Sequence, residues 1–106
     1  MSAQRTRLAG LIALGFESIS LSDGTAIGLN STNAFATTIE FSVETNNARF
    51  RDDGTDPALT TGILYQKDNV YRRDGIANAS NIAFQRSTGT SLIQLIGYRY
   101  PGDPAS

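Results

Sequence analysis

"TTIEFSVETNNARFR", residues 37–51, carries the strongest periodic signal in the chain. Ile39, Phe41 and Val43 share one parity while Glu40, Ser42 and Glu44 share the other, and the alternation resumes with Ala48 and Phe50 against Arg49 and Arg51. Successive side chains of a strand leave opposite faces, so period two in β-branched and aromatic residues marks a half-buried strand. Between the two runs, Asn46-Asn47 reads as a two-residue hairpin loop, because asparagine tolerates the positive φ that such turns need. Closing the chain there sets Thr45 against Ala48, Glu44 against Arg49, Val43 against Phe50 and Ser42 against Arg51. Apolar then meets apolar and acid meets base, and a slip of one residue would scramble both. A surface Glu44–Arg49 pair is worth only about 0.2–1 kcal/mol, so its expected role is to specify register.

Working outward, "ISLSDGTAIGL" (19–29) reads as two short strands around an Asp23-Gly24 turn, and "NSTNAF" (30–35) as a loop. "GILYQKDNVYRRDGI" (62–76) holds two apolar pieces around Gln66–Asn69, then a turn at Asp74-Gly75. "NIAFQRSTGTSLIQLIGYRY" (81–100) gives two more strands around Ser-Thr-Gly-Thr. In the last of them Leu92, Ile96, Tyr98 and Tyr100 lie on one parity and Ile93 and Leu95 on the other. Apolar character on both faces fits a central strand, or one whose second face meets another subunit. Leu8 to Phe16 is the one candidate helix, weakened by Gly10 and Gly15, and its pattern fits a strand equally well. Seven or eight short strands with turns every eight to twelve residues define the expected fold class. That class is all-β, a single small β-sandwich over 1–106, jelly-roll-like or immunoglobulin-like, with a barrel compatible with the same periodicity. A short flexible N-terminal segment, about 1–7, and a C-terminal tail, about 101–106, are expected outside its core.

Composition narrows the function. A chain of 106 residues holds one modest core. Nine basic against ten acidic residues give a net charge of −1, too little field to draw the protein onto nucleic acid or an anionic membrane. The absence of cysteine and histidine removes disulfides, thiolate nucleophiles, the usual zinc sites and histidine bases. Arg5 and Arg7 ahead of Leu8–Phe16 imitate a signal peptide, but the apolar run is short, Glu17 closes it and no small-x-small cleavage site follows, so an unprocessed chain is expected.

"RFRDDGTDPALTTG" (49–62) is the densest polar stretch and the obvious place to look for chemistry. Asp52, Asp53 and Asp56 have the hard oxygens calcium takes, yet they follow neither the alternating ligand spacing nor the closing glutamate of a calcium loop. As a glycosidase pair, adjacent Asp52 and Asp53 would point to opposite sides of a strand. The turn reading explains more: Asp53-Gly54 makes a turn, Asp56 bonds back to nearby backbone N–H groups and Pro57 fixes φ after it. "STGTS" (87–91) has hydroxyls but no base near in sequence, Lys67 being the only lysine, so it is a hairpin loop. No catalytic residue, metal or cofactor is expected. Asn30-Ser31-Thr32 and Asn78-Ala79-Ser80 match the glycosylation acceptor pattern and are read as coincidences of composition. Arg72 and Arg73, with Tyr65, Tyr71, Tyr98 and Tyr100, have the makeup of a contact surface with a protein.

From Ile39 to Tyr100 the sequence resembles small virion structural proteins of tailed bacteriophages. The likeness rests on Val43, Glu44, Arg49, Phe50, Arg51, Asp53, Gly54, Thr55, Pro57, Gly62, Leu64 and Asp68, then Ile82, Phe84, Gly89 and Leu92 onward, with departures at Ala58 and in the "QKDN" turn. It implies a β-rich, non-enzymatic subunit of the virion, made in the host cytoplasm, that decorates and cements the capsid or serves as a head or tail accessory. Its implied partners are itself, as a homo-oligomer with a trimer favoured, and the phage major capsid protein or neighbouring virion proteins, with neither nucleic acid nor membrane. The expected interface residues are Arg51, Arg72, Arg73, Tyr98 and Tyr100, while Asp53, Gly54, Asp56 and Pro57 form a structural turn. "RFRDDGTDP" also resembles the "YTLDGSDPT" stretch of immunoglobulin-like modules appended to chitin-degrading glycoside hydrolases, which implies a carbohydrate-binding or spacer module instead.

Overall fold

The computed structural model describes residues 11–100, so the expected segments 1–7 and 101–106 lie outside the described residues. Eight strands form: β1 Ile12–Leu21, β2 Ile27–Gly28, β3 Thr38–Glu44, β4 Ala48–Arg51, β5 Ile63–Tyr65, β6 Asn69–Arg73, β7 Ala83–Arg86 and β8 Ser91–Arg99. Of the candidate helix Leu8–Phe16, the residues from Ile12 to Phe16 are strand, and 8–10 lie outside the described residues.

One sheet runs β1-β8-β3-β6 and the other β2-β7-β4-β5, every paired neighbour antiparallel. The pairs β1·β8, β2·β7, β3·β6 and β4·β5 are those of one long hairpin folded over on itself. That strand order defines an all-β, two-sheet jelly roll and sets aside the immunoglobulin-like and closed-barrel alternatives. β4 and β5 are consecutive strands that remain in one sheet, and the polar stretch 52–62 joins them.

The expected hairpin at Asn46-Asn47 does not form. β3 is already paired with β8 on one side and β6 on the other, so it has no free edge for β4, which lies in the facing sheet. The chain instead turns a corner at Thr45, whose φ of 77° lets Asn46 N–H donate to the Glu44 carbonyl. Positive φ in a β-branched residue is strained. Glu44 therefore faces Leu92 and accepts from the Ser42 hydroxyl, while Arg49 faces Gln85 and Leu64. Alternation could not expose the error, because Phe41 and Val43 point to the same interior as Ala48 and Phe50 whether the chain folds flat or crosses between sheets. The strands around Asp23-Gly24, Gln66–Asn69 and Ser87–Thr90 also lie in opposite sheets. Hydrogen bonds stitch three of these corners together: Asp68 N–H to the Val43 carbonyl, Lys67 N–H to Asn47 Oδ1, and the Ser91 hydroxyl to the Asn46 carbonyl.

The core fills from both sheets. Ile19, Leu21, Ile39, Phe41, Val43, Ile93 and Leu95 enter from one, and Ala48, Phe50 and Phe84 from the other, all buried. Fully burying each larger side chain stabilises by roughly 1.5–3 kcal/mol before chain entropy is counted. Tyr65 and Tyr71, expected at a surface, pack half-buried against this core with ring centroids 4.3 Å apart, and burial raises the pKa of the Tyr65 hydroxyl.

Candidate interaction face

The two sheets present very different outer surfaces. Over the β2-β7-β4-β5 sheet, residues 52–62 form a compact loop held by side chains of β4. Arg49 donates from Nε to the Leu59 carbonyl (3.2 Å) and from a terminal nitrogen to the Gly62 carbonyl (3.1 Å). Arg51 grips Asp53 with two hydrogen bonds, Nε to Oδ1 at 3.0 Å and a terminal nitrogen to Oδ2. The other carboxylate duty of Asp53 is to accept from Thr55 N–H (3.2 Å), while Gly54 takes the positive φ of 85° that an Asp-Gly turn requires. Pro57 is buried, and Ala58 and Thr61 exchange backbone hydrogen bonds across the loop tip.

Two of the loop's three acids are thus engaged by arginines. Asp53 serves Arg51, and Asp52 accepts from Arg73 at 2.8 Å, tying the end of β6 in one sheet to the end of β4 in the other. Asp56 does not make the back-bond expected of it: the turn geometry lets Asp53 reach the backbone first, and the Asp56 side chain is exposed without a hydrogen-bond or ionic partner among the described residues. The same residues contain no group of three acidic ligands suited to a metal ion. The Arg51 guanidinium, then Thr55 N–H, holds the Asp53 carboxyl down at about 2, against 3.8 for an unperturbed aspartate. A depressed folded pKa gives stability that is present above the unfolded value and is lost as pH falls through the folded one. The loop is therefore expected to loosen between about pH 4 and pH 2. A carboxyl-carbon NMR titration of Asp53 checks this, with a midpoint near 2 that Arg51→Ala returns toward 3.8.

The outer face of the β1-β8-β3-β6 sheet has no such cover among the described residues. Register sets Phe16, Ile96, Glu40 and Arg72 in one row across the four strands, and Ser18, Gln94, Ser42 and Val70 in the next. Phe16 is 61% exposed and Val70 67%, unusually high for a phenylalanine and a valine on sheet. Between them lies a shallow hollow of about 210 Å³ lined by Phe16, Glu40, Ser42, Val70, Gln94 and Ile96. Leu92 and Tyr98 extend the apolar surface along β8, half-buried. Charge gathers at the rim: Arg72 donates to Asp74 at 3.0 Å, and the Thr38 hydroxyl donates to the same carboxylate. The two-sided pattern of β8 has a double cause, since the strand is central and its second face lines this patch.

The five expected interface residues do not form one surface. Arg72 and Tyr98 belong to this face, and Tyr100, half-buried, follows Tyr98 on the same parity and lies close enough to interact electrostatically with Arg72. Arg51 lies in the opposite sheet and Arg73 is turned toward Asp52. Phe16 and Val70 were not among the expected residues. They lie far apart in sequence, and only the register of four strands brings them to one hollow.

Polar capping explains several other motifs. Asn30 and Asn78, which head the two glycosylation-like triplets, each begin a 3₁₀ turn: Asn30 Oδ1 accepts from Asn33 N–H, and Asn78 Oδ1 from Ser80 N–H. Glu17, buried on the inner face of β1, accepts from Asn33 Nδ2 at 2.7 Å and from Asn30 N–H at 3.1 Å. Sequence reading passed over Glu17, although it falls on the inward parity of Ile19 and Leu21.

Together these features describe a jelly-roll sandwich in which, among the described residues, the loop 52–62 is anchored over one outer face and no loop covers the other, where Phe16 and Val70 are exposed. No protein-family model matches the sequence, and no curated protein matches it. Among solved structures, the cupin_2 domain of an XRE-family transcriptional regulator from Enterobacter cloacae is similar over 81% of this chain and 84% of that one, with 22% identity and a TM-score of 0.48. Among the described residues, no helix is long and apolar enough to cross a membrane.

Proposed function

We propose that this protein is a structural subunit of a tailed-phage particle, decorating and cementing the capsid by seating the outer face of the β1-β8-β3-β6 sheet on a neighbouring virion protein, with no chemical step. The observation that carries the docking part is the shallow hollow between exposed Phe16 and exposed Val70, with half-buried Ile96 beside Phe16 and with Glu40, Ser42 and Gln94 between the two anchors. Exposed apolar anchors interspersed with polar groups that can hydrogen-bond are a composition that protein interfaces use. Jelly rolls serve viral capsids, lectins and cupins alike, so the fold does not choose among them. The phage setting comes from the resemblance across Ile39–Tyr100. In that setting the chain is made in the host cytoplasm and ends in the virion. A homo-oligomer bound at several capsid sites together would turn individually weak contacts into firm cement.

Co-sedimentation with purified capsids tests the reading. Wild-type protein is expected to pellet with capsids, and Val70→Asp to bind at least tenfold more weakly, because replacing an apolar anchor that an interface buries costs on the order of 2 kcal/mol. The Val70 side chain is mostly in solvent, so the variant should melt like the wild type. Virions that lack the protein, or a Val70→Asp variant that pellets like wild type, would sink the proposal.

A further inference from the structure

Sheet edges present unpaired N–H and C=O groups, and proteins guard them with short strands, charge or proline. Three of the four edges here are guarded. β2 has two residues and β5 three, while β6 has five, preceded by Asp68 and ending in Arg72, Arg73 and then Asp74. β1 is different. It is the longest strand, ten residues or roughly 33 Å of edge at about 3.3 Å per residue. It contains no lysine, arginine or proline, and its single charge, Glu17, points inward onto Asn33 and Asn30. A bulge interrupts its register between Ala13 and Gly15, leaving Gly15–Leu21 regular. Among the described residues its backbone ladder runs to β8 alone.

We propose that the free edge of β1 pairs antiparallel with β1 of a second copy about a two-fold axis at Ser18, the midpoint of the regular segment. A second copy fits for reasons of symmetry and charge. Two identical antiparallel strands related by a two-fold axis are complementary to each other, so the same edge satisfies itself in both chains. The outward side chains beside this edge, Phe16, Ser18 and Ser20, carry no charge that would repel its own image. With Ser18 opposite Ser18, Phe16 stands across from Ser20 of the second copy, a small residue over which the exposed ring can lie. The product is one eight-stranded sheet in which the two bare outer faces become continuous. This pairing differs from the trimer implied by the resemblance and does not depend on what the outer face docks against.

The test is native mass by light scattering over a tenfold concentration range, on wild type and on the double variant Ser18→Lys/Ser20→Lys. Wild type should give about 23 kDa, twice the 11.4 kDa chain, and the lysine variant, with four added like charges around the axis, should fall to a monomer with an unchanged circular dichroism spectrum. Because the chain has no native cysteine, Ser18→Cys should oxidise to a covalent dimer, whereas Thr60→Cys on the exposed loop should not. That cross-link reports on the edge even if the lysine pair disturbs folding. A wild type that stays monomeric throughout overturns the proposal, as does an oligomer whose mass the lysines leave unchanged. Val70→Asp, which tests docking, should keep the dimer mass, so failure of the two ideas can be told apart.

Discussion

Truncating Phe41 to alanine is expected to lower the unfolding free energy by about 3–5 kcal/mol, a large share of the roughly 5–15 kcal/mol that holds a domain of this size together. Phe41 is 1% exposed on β3 and stands where the two sheets meet. Its ring lies edge-on to Phe84 at 5.1 Å and to Tyr65 at 5.3 Å, and it stacks with Phe50 at 6.2 Å, all three from the opposite sheet. Tyr71 of the neighbouring strand β6 closes the cluster at 5.8 Å. Such pairs add about 0.5–1.5 kcal/mol each beyond burial, but rings sharing one partner do not add independently, so the estimate stays within the range measured for phenylalanine truncations. The cavity would also free Tyr71, whose hydroxyl bonds to both the N–H and the carbonyl of Gln66 at the β5–β6 corner. Urea denaturation should show a lower midpoint at unchanged slope. A loss below about 1 kcal/mol would mean that the four remaining rings collapse into the space.

The same residues show what the sequence could reveal and what it could not. Alternation through Ile39, Phe41 and Val43 correctly marked a strand with one buried face, and its repetition elsewhere was enough for an all-β sandwich. Partner choice was hidden, because an inward-facing apolar pattern reads alike for a flat hairpin and for a corner between sheets. Loop chemistry did not decide it either: Asp23-Gly24 and Asn46-Asn47 look like hairpin turns, yet each joins strands of different sheets. β4 and β5, which do pair in one sheet, are separated by a loop too long to announce it. For the candidate face, Tyr98 and Arg72 were legible from the two-sided β8 and the basic pair. Phe16 and Val70 were not, since exposure of an apolar residue depends on which side of the sheet the rest of the chain leaves uncovered.

Gly97→Ala is the second large effect, and it tests the end of the sandwich that carries β1. Gly97 sits opposite Gly15 in the β1·β8 ladder, and the missing side chains leave a slot for the 3₁₀ turn Ser31–Asn33. A Cβ at Gly97 would lie 2.2 Å from Asn33 Oδ1, 2.7 Å from its Cγ and 3.1 Å from Ala36 Cβ. Asn33 cannot step aside cheaply. It is fully buried, its Nδ2 donates to Glu17 at 2.7 Å, and turning the amide over would set oxygen against the carboxylate. Among the described residues its Oδ1 has no hydrogen-bond donor, and it is directed at the space a Gly97 side chain would fill. The added methyl group must therefore push Asn33 away and leave Glu17, 9% exposed, without its amide donor. Overpacking of about 1–3 kcal/mol and a lost hydrogen bond to a charged group of about 1.5–3 kcal/mol combine to about 4 kcal/mol, a fall of roughly 20 °C in Tm. The mechanism predicts strong coupling. Asn33→Ala alone is expected to cost about 2 kcal/mol by leaving buried Glu17 with Asn30 N–H but without its side-chain amide donor, after which Gly97→Ala should cost about 1 kcal/mol because the obstacle is gone. Thermal melts of the four proteins in this cycle decide it: equal penalties for Gly97→Ala in both backgrounds would shift the cause from Asn33 to Ala36 and detach Gly97 from the Glu17 network.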